Sequence, residues 1–220
     1  YSEYFSISVK SIYPIPDSMP YDEATLVDPA AIALHSAKRA KVGPGDNVAV
    51  FGPGGIGLMA LQCADAMGAG RVIVIGRGER LKKAADFGAE TVDFEAVDVV
   101  KTVREMTNDI GVDAVIETAG QPKSCKEAIE IIKKGGRICY AGNTFGDIPL
   151  PLTKITLNEI DVYGLRANPN TCPEVIPLIE KGKIDVKSLI THTFPLKEFA
   201  TALETAVKRI DGAIRVIIHP

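Results

Sequence analysis

The residues Gly52-Pro53-Gly54-Gly55-Ile56-Gly57 set three glycines at G-x-G-x-x-G spacing, directly after the apolar run Val48-Ala49-Val50-Phe51 and before a helix-length segment. A strand that turns sharply into a helix aims free backbone N–H groups and the positive end of the helix dipole at one point, which suits a phosphate. Gly52 permits the tight turn, Gly54 lets the backbone approach a pyrophosphate, and Gly57 lets helix and sheet pack closely. Gly52, Gly54, Gly55, Ile56 and Gly57 are therefore read as binding a dinucleotide. About 20 residues further on, such a site usually places a carboxylate against the ribose hydroxyls. Here Gly76 stands at the end of the second apolar run, followed by Arg77-Gly78-Glu79-Arg80. A guanidinium makes a bidentate, charge-assisted pair with a 2′-phosphate that an acid would repel, so Gly76, Arg77 and Arg80 favour NADP. The alternative is NAD, with Glu79 turned towards a ribose hydroxyl and both arginines solvated. Thr118-Ala119-Gly120 and Ala141-Gly142-Asn143 follow two later apolar runs, where small residues leave room for ribose and nicotinamide or simply end strands.

Such loops need a parallel sheet behind them. Between Val48 and Gly164 short apolar runs alternate with helix-length segments, the pattern of strand-helix units that close as a parallel sheet with helices on both faces. Strands are predicted at Val48–Phe51, Arg71–Ile75, Thr91–Asp93, Val112–Ile116, Arg137–Ala141 and Val162–Gly164, most of them too uniformly apolar for a sheet with one wet face. Helices are predicted near Gly55–Met67, Glu79–Phe87, Val97–Met106, Ser124–Ile132 and Thr153–Glu159, bounded by turn residues such as Gly68, Gly88, Asn108 and Gly135-Gly136. The fold class is α/β, a doubly wound six-stranded parallel sheet of the Rossmann type. Outside that block Tyr4–Ile15 reads as one or two strands, Asp28–Lys41 as a helix and Cys172–Lys181 as a proline-broken helix. Leu189–Phe194 reads as extended, Leu196–Ala206 as a helix and Ile214–Ile218 as a last strand. With no internal repeat, these flanks are assigned to one other domain.

The chain has 220 residues, 46% of them hydrophobic, enough for a full domain and part of a second. Its formal charge of -3 is spread along the chain, which argues against nucleic-acid or anionic-membrane binding. Apolar runs such as Val72-Ile73-Val74-Ile75 fall far short of the roughly 20 residues that cross a bilayer. Cys63, Cys125, Cys139 and Cys172 show no C-x-x-C spacing and are read as buried free thiols in a reducing, cytoplasmic compartment. The start carries neither a signal peptide nor an initiator Met, so the chain is expected to begin within a longer protein.

Around the glycine turn the sequence resembles the zinc-type medium-chain dehydrogenases, particularly their sorbitol and threonine dehydrogenase branch. Tyr1-Ser2-Glu3-Tyr4 resembles the G-G-x-A-E-Y passage, Leu26-Val27-Asp28-Pro29-Ala30-Ala31-Ile32-Ala33-Leu34-His35 the E-P-L-x-V-x-L-H helix start, and Val42-Gly43-Pro44-Gly45-Asp46-Asn47-Val48 the G-D-x-V lead into the glycine loop. Leu165-Arg166 and Leu189-Ile190-Thr191-His192-Thr193-Phe194-Pro195-Leu196 are similar to the F-R and V-T-H-R-F-P-L stretches of the polyol branch.

The resemblance implies a subunit with a GroES-like catalytic domain that holds zinc beside NAD(P). Residues 1–24 would then end the GroES-like domain, 25–165 form the NAD(P)-binding domain, and 166–220 return to the catalytic domain. In such enzymes zinc is a Lewis acid that lowers the pKa of a secondary alcohol or polyol, so that the alkoxide expels hydride to nicotinamide. The family's Cys and G-H-E ligands and its four-cysteine loop are not in this sequence, so the principal ligands are expected upstream of Tyr1. Asp28 has two readings: it stands where the polyol branch has a glutamate at or beside the zinc, and with Pro29 it also fits a helix N-cap followed by a first-turn proline. Leu165 and Arg166 resemble positions near the cofactor, and Arg215 resembles an arginine that reaches the pyrophosphate; surface ion pairs are the other account of both arginines. His35 is read as a packed core histidine, His192 as either packed or functional, and His219 as a solvated tail residue. No catalytic residue is assigned. The resemblance also implies a homodimer or homotetramer, with pairing through the apolar Ile160–Leu165 region. The competing functions are a zinc-free quinone or enone reductase of the same superfamily, and a non-catalytic nucleotide-binding fragment.

Overall fold

Six parallel strands, β1 (Asn47–Phe51), β2 (Arg71–Gly76), β3 (Glu90–Asp93), β4 (Val112–Glu117), β5 (Ile132–Tyr140) and β6 (Asp161–Gly164), lie in the order β3-β2-β1-β4-β5-β6. This is a computed structural model, and it describes residues 2–4, 6–144 and 146–220. Successive side chains of a strand face opposite ways, and here both faces are covered. Val48, Val50, Val72, Val74, Ala114 and Ile116 share one core with helices α2 (Val27–Arg39), α3 (Gly55–Ala66), α4 (Gly78–Asp86) and α8 (Cys172–Glu180). Ala49, Phe51, Ile73, Ile75 and Val115 share the other with α5 (Val99–Met106) and α6 (Pro122–Ile131). The order reverses between β1 and β4, which opens a crevice past their carboxyl ends.

The predicted strands and helices of the nucleotide fold are all present, with ends displaced by a few residues. The largest displacement is β5, which begins at Ile132 rather than Arg137. Val112 pairs with Ile132 before the register jumps to Ala114 with Arg137, and Gly135-Gly136 lies inside that irregularity. Helix α7 (Leu152–Leu157) is shorter than expected.

The flanks depart further. Among the described residues, 4–15 contain no strand; Val9–Ser11 is a single 3-10 turn, and Tyr4, Val9 and Ile12 are exposed. A segment that reads as a strand does not hold as one without a neighbouring strand to bond. A short helix, α1 (Tyr21–Ala24), precedes α2, and α2 begins at Val27, with Leu26 rather than Asp28 as its N-cap. The proline-broken helix is unbroken: Pro177 sits inside α8, and the N–H it lacks would have bonded only the carbonyl of Pro173 in the first turn. The final segment forms a separate two-stranded parallel sheet, β7 (Ile190–Pro195) and β8 (Arg215–His219), crossed by α9 (Phe199–Lys208).

No helix among the described residues is long and apolar enough to cross a membrane. All four cysteines are free and buried. Burial pushes the Cys63 and Cys139 thiols up to about 12 and Cys125 up to about 11. At about pH 8 the native protein should therefore react negligibly with a thiol reagent, and all four thiols should titrate after denaturation. A fast-reacting native thiol would contradict this burial.

Candidate dinucleotide-binding site

In the turn after β1, Gly52 and Gly57 leave no room for a side chain. Gly52 has φ +87°, and its N–H donates to the Ile75 carbonyl at 2.9 Å. The Thr118 hydroxyl, at the end of β4, braces the same turn, donating to the Phe51 carbonyl at 2.7 Å with the Gly52 carbonyl at 2.9 Å. A Cβ on Gly57 would overlap the Gly52 carbonyl oxygen and stand 2.9 Å from Thr118 Oγ1. Gly54 is the N-cap of α3, whose first intrahelical bond is Leu58 N–H to the Gly54 carbonyl at 2.9 Å. The N–H groups of Gly55, Ile56 and Gly57 therefore point out of the helix end, where an anion can receive them. Gly76 has a steric reason as well as the one read from sequence: a Cβ there would overlap the Pro53 ring.

Three guanidinium groups converge on this turn from different elements. Arg215 of β8 lies against the backbone of Gly55, so that a Cβ on Gly55 would overlap its guanidinium. Its Nε is buried without a hydrogen-bond partner, and burial lowers its pKa. Arg80 of α4 donates to the Ala213 carbonyl, and its pKa is lowered by burial and then by the charges of Arg209 and Arg215. Arg209 caps α9 in the left-handed region, φ 56°. Like charges held together, two of them half-buried, favour a bound anion. Arg80 thus turns inward to the Ala213 carbonyl while lining the same cleft as Arg77. Just past β2, Arg77 forms an ion pair with Glu95 and lies 5.6 Å from the Phe94 ring centroid. Glu79 does not turn inward; it pairs with Lys82 at 2.6 Å. Gly52, Gly54, Gly76, Arg77, Arg80 and Arg209 line one cleft of about 470 Å3.

Glu117 joins the next two loops, one through its buried carboxylate and the other through its backbone carbonyl. Glu117, at the end of β4, accepts from the N–H groups of Ala119 and Gly120 at 3.0 Å and from the Ser124 hydroxyl at 2.7 Å. Its backbone carbonyl accepts from Ala141 and Gly142, both at 2.8 Å. Burial raises the Glu117 pKa, opposed by the bonds from Ser124, Gly120 and Ala119. Gly120, at φ +65°, packs against Asn143, whose carbonyl a Cβ would overlap. Thr118, Ala119, Gly120, Ala141, Gly142 and Asn143 therefore form one surface beside the glycine turn. Leu165 donates its N–H to the Tyr140 carbonyl at 3.2 Å and lines a neighbouring hollow with Gly142, whereas Arg166 is exposed and lines neither space.

A family signature for zinc-binding dehydrogenases matches residues 55–181. The chain belongs to that family. It is 34% identical over 221 residues to sorbitol dehydrogenase of Bacillus subtilis (strain 168), covering 99% of this chain and 63% of that protein. Among solved structures it superposes on a zinc-binding dehydrogenase of Sinorhizobium meliloti 1021 bound to NADP, with TM-score 0.88, 27% identity, 94% of this chain and 62% of that one. A short chain alcohol dehydrogenase of E. coli CFT073 complexed with NADH gives TM-score 0.88, 27% identity, 96% of this chain and 63% of that one. The chain thus spans under two thirds of the length of these relatives.

In this zinc-binding dehydrogenase chain, the described residues contain no group of three or more His, Cys, Asp or Glu side chains placed to hold a metal. Asp28 is exposed in the first turn of α2, and its Oδ1 accepts from Asn168 Nδ2 at 2.8 Å. The N-cap reading of Asp28 is set aside, since its carboxylate reaches Asn168 instead of the helix N–H groups. His35 is half-buried, its pKa lowered by burial and by Arg39 and Lys38. His192 Nδ1 lies 2.9 Å from Thr191 Oγ1, and His219 lies 3.4 Å from Asp22 rather than standing alone. Glu95, Glu117, Asn168 and Arg209 were not singled out from sequence. Glu117 did carry a signal, a charged residue closing the apolar run Val112–Ile116. The others depend on contacts across the fold.

Proposed function

We propose that this chain is the cofactor-binding and C-terminal part of a cytoplasmic, zinc-assisted dehydrogenase that moves hydride between a secondary alcohol or polyol and NADP. Residues 25–165 hold the dinucleotide, and residues 1–24 and 166–220 belong to the catalytic domain. The observation that carries the reading is Arg215 Nε, buried without a partner at the same helix end as the outward N–H groups of α3. A pyrophosphate there would accept from Gly55, Ile56, Gly57 and Arg215, with Arg80 and Arg209 adding charge. Arg77 would receive the 2′-phosphate, and the surface of residues 118–120 and 141–143, with Leu165, would place ribose and nicotinamide. Arg166, exposed, would approach only the outer end of the cofactor. Zinc, when bound, supplies Lewis-acid activation of the alcohol oxygen. Asp28, oriented by Asn168, is the residue of this chain that would join its ligands, the others coming from sequence outside this chain. The exposed edge strand β6 would pair with its copy in a homodimer or homotetramer.

Titration with NADPH and NADH, read by cofactor fluorescence, tests the reading. Arg215→Ala should weaken both cofactors about tenfold or more, because both carry the pyrophosphate. Arg77→Ala should weaken NADPH about tenfold and NADH by less than about twofold. Wild-type protein that binds neither cofactor would refute the dinucleotide site, and an Arg77→Ala effect equal on both would refute the NADP assignment.

A further inference from the structure

Arg77 does not face the cleft alone. Gly76 pairs with Asp93 in the sheet, and the Phe94 N–H donates to the Gly76 carbonyl at 3.1 Å, so the residues after β3 stand beside those after β2. The Asp93 carboxylate accepts the Glu95 N–H at 2.9 Å and fixes that turn. From it the Glu95 carboxylate pairs with Arg77 Nη1 while the guanidinium lies over Phe94, itself part of the cleft lining. The pairing therefore has three supports: sheet register, an Asx turn and an aromatic face.

We infer that Glu95 is a specificity-determining residue: its carboxylate engages Arg77 and sets a like charge beside the place a 2′-phosphate would take, and so limits affinity for the phosphorylated dinucleotide. The inference rests on the reading that Arg77 receives that phosphate. Glu95 engages Arg77 through Nη1, so a phosphate that takes the other guanidinium donors lies beside the Glu95 carboxylate and meets like-charge repulsion. Binding therefore works against that repulsion or turns Glu95 towards solvent. Both side chains are 56% exposed, so this competition is modest. Exposed pairs shift an equilibrium by about fivefold at most, which makes Glu95 a tuning residue rather than a block.

The test measures NADPH and NADH dissociation constants at about 50 mM salt, where charge effects are least screened, for wild type, Glu95→Gln, Arg77→Ala and the double variant. Glu95→Gln keeps the size of the side chain and removes the charge. NADPH is expected to bind about three- to fivefold more tightly to Glu95→Gln, and the gain should vanish when Arg77 is alanine. Unchanged or weaker NADPH binding overturns the inference. A higher NADPH preference that arises only because NADH weakens also overturns it, since Glu95 would then be a ribose acceptor. So does a gain that persists without Arg77, which would mark a general charge effect. Failure of the underlying reading looks different: Arg77→Ala alone would leave NADPH selectivity unchanged.

Discussion

Gly57→Val should abolish measurable dinucleotide binding and also lower stability. The Cβ of any residue at position 57 meets the Gly52 carbonyl oxygen and Thr118 Oγ1, neither of them the free end of a flexible side chain. The carbonyl belongs to the turn itself, and the hydroxyl is held by its bonds to the carbonyls of Phe51 and Gly52. Relief therefore requires α3 to move away from β1 and β4. Overpacking of this kind costs about 1–3 kcal/mol, and the displaced helix end no longer aims its N–H groups at the turn. Urea unfolding and NADPH titration of Gly57→Ala and Gly57→Val read the two effects separately, with valine the worse in both. Gly164→Ala is the control: nothing lies within 4 Å of a Cβ there, and the change should stay within about 0.5 kcal/mol. Wild-type affinity in Gly57→Val would show that close helix-to-sheet packing is not what the third glycine provides.

The nucleotide fold was legible because its signals are local and redundant. Val48–Phe51 is apolar on consecutive positions, a turn of glycines follows, and the next apolar run begins after a helix-length gap. Each observation gives the same answer. The Tyr4–Ile15 reading failed because a strand needs a neighbouring strand to bond, which the local sequence does not show. Pro177 misled in the other direction: it was read as a break, yet its position four residues after Pro173 costs one hydrogen bond and leaves the buried face Cys172, Val175, Ile176 and Ile179 intact. In the site, glycines and loop residues could be read from spacing, but the partners of the arginines could not. Arg77 and Arg80 are neighbours in sequence with opposite fates, one paired with Glu95 at the mouth and the other turned onto Ala213 of the distant C-terminal segment. Only the placement of β3 and of the segment before β8 decides that difference.

Glu117 should be the second position of large effect, and its signature is a dependence on pH. Glu117→Leu removes the acceptor for two backbone N–H groups, those of Ala119 and Gly120, and for the Ser124 hydroxyl. Ser124 retains the Gln121 carbonyl at 2.9 Å, so the two amides carry most of the loss. At about 1–3 kcal/mol for each buried donor left unpaired, the variant should lose about 3 kcal/mol of stability. Cofactor affinity should fall with it, because the same carboxylate fixes the backbone of residues 118–120 beside the glycine turn. Glu117→Gln isolates the charge. Burial raises the folded-state pKa of Glu117, so between the ordinary glutamate value and that raised value the folded protein binds more protons than the unfolded chain. Its contribution is therefore fully present below the ordinary value and is lost as pH rises through the raised one. Glutamine does not titrate, so its stability deficit relative to wild type should be largest at acid pH and narrow as pH rises across that window. Urea unfolding of both proteins across that pH range measures the gap. A gap that is constant or widens with pH would mean that hydrogen bonds from Ala119, Gly120 and Ser124 outweigh burial, so that the folded protein does not raise the Glu117 pKa.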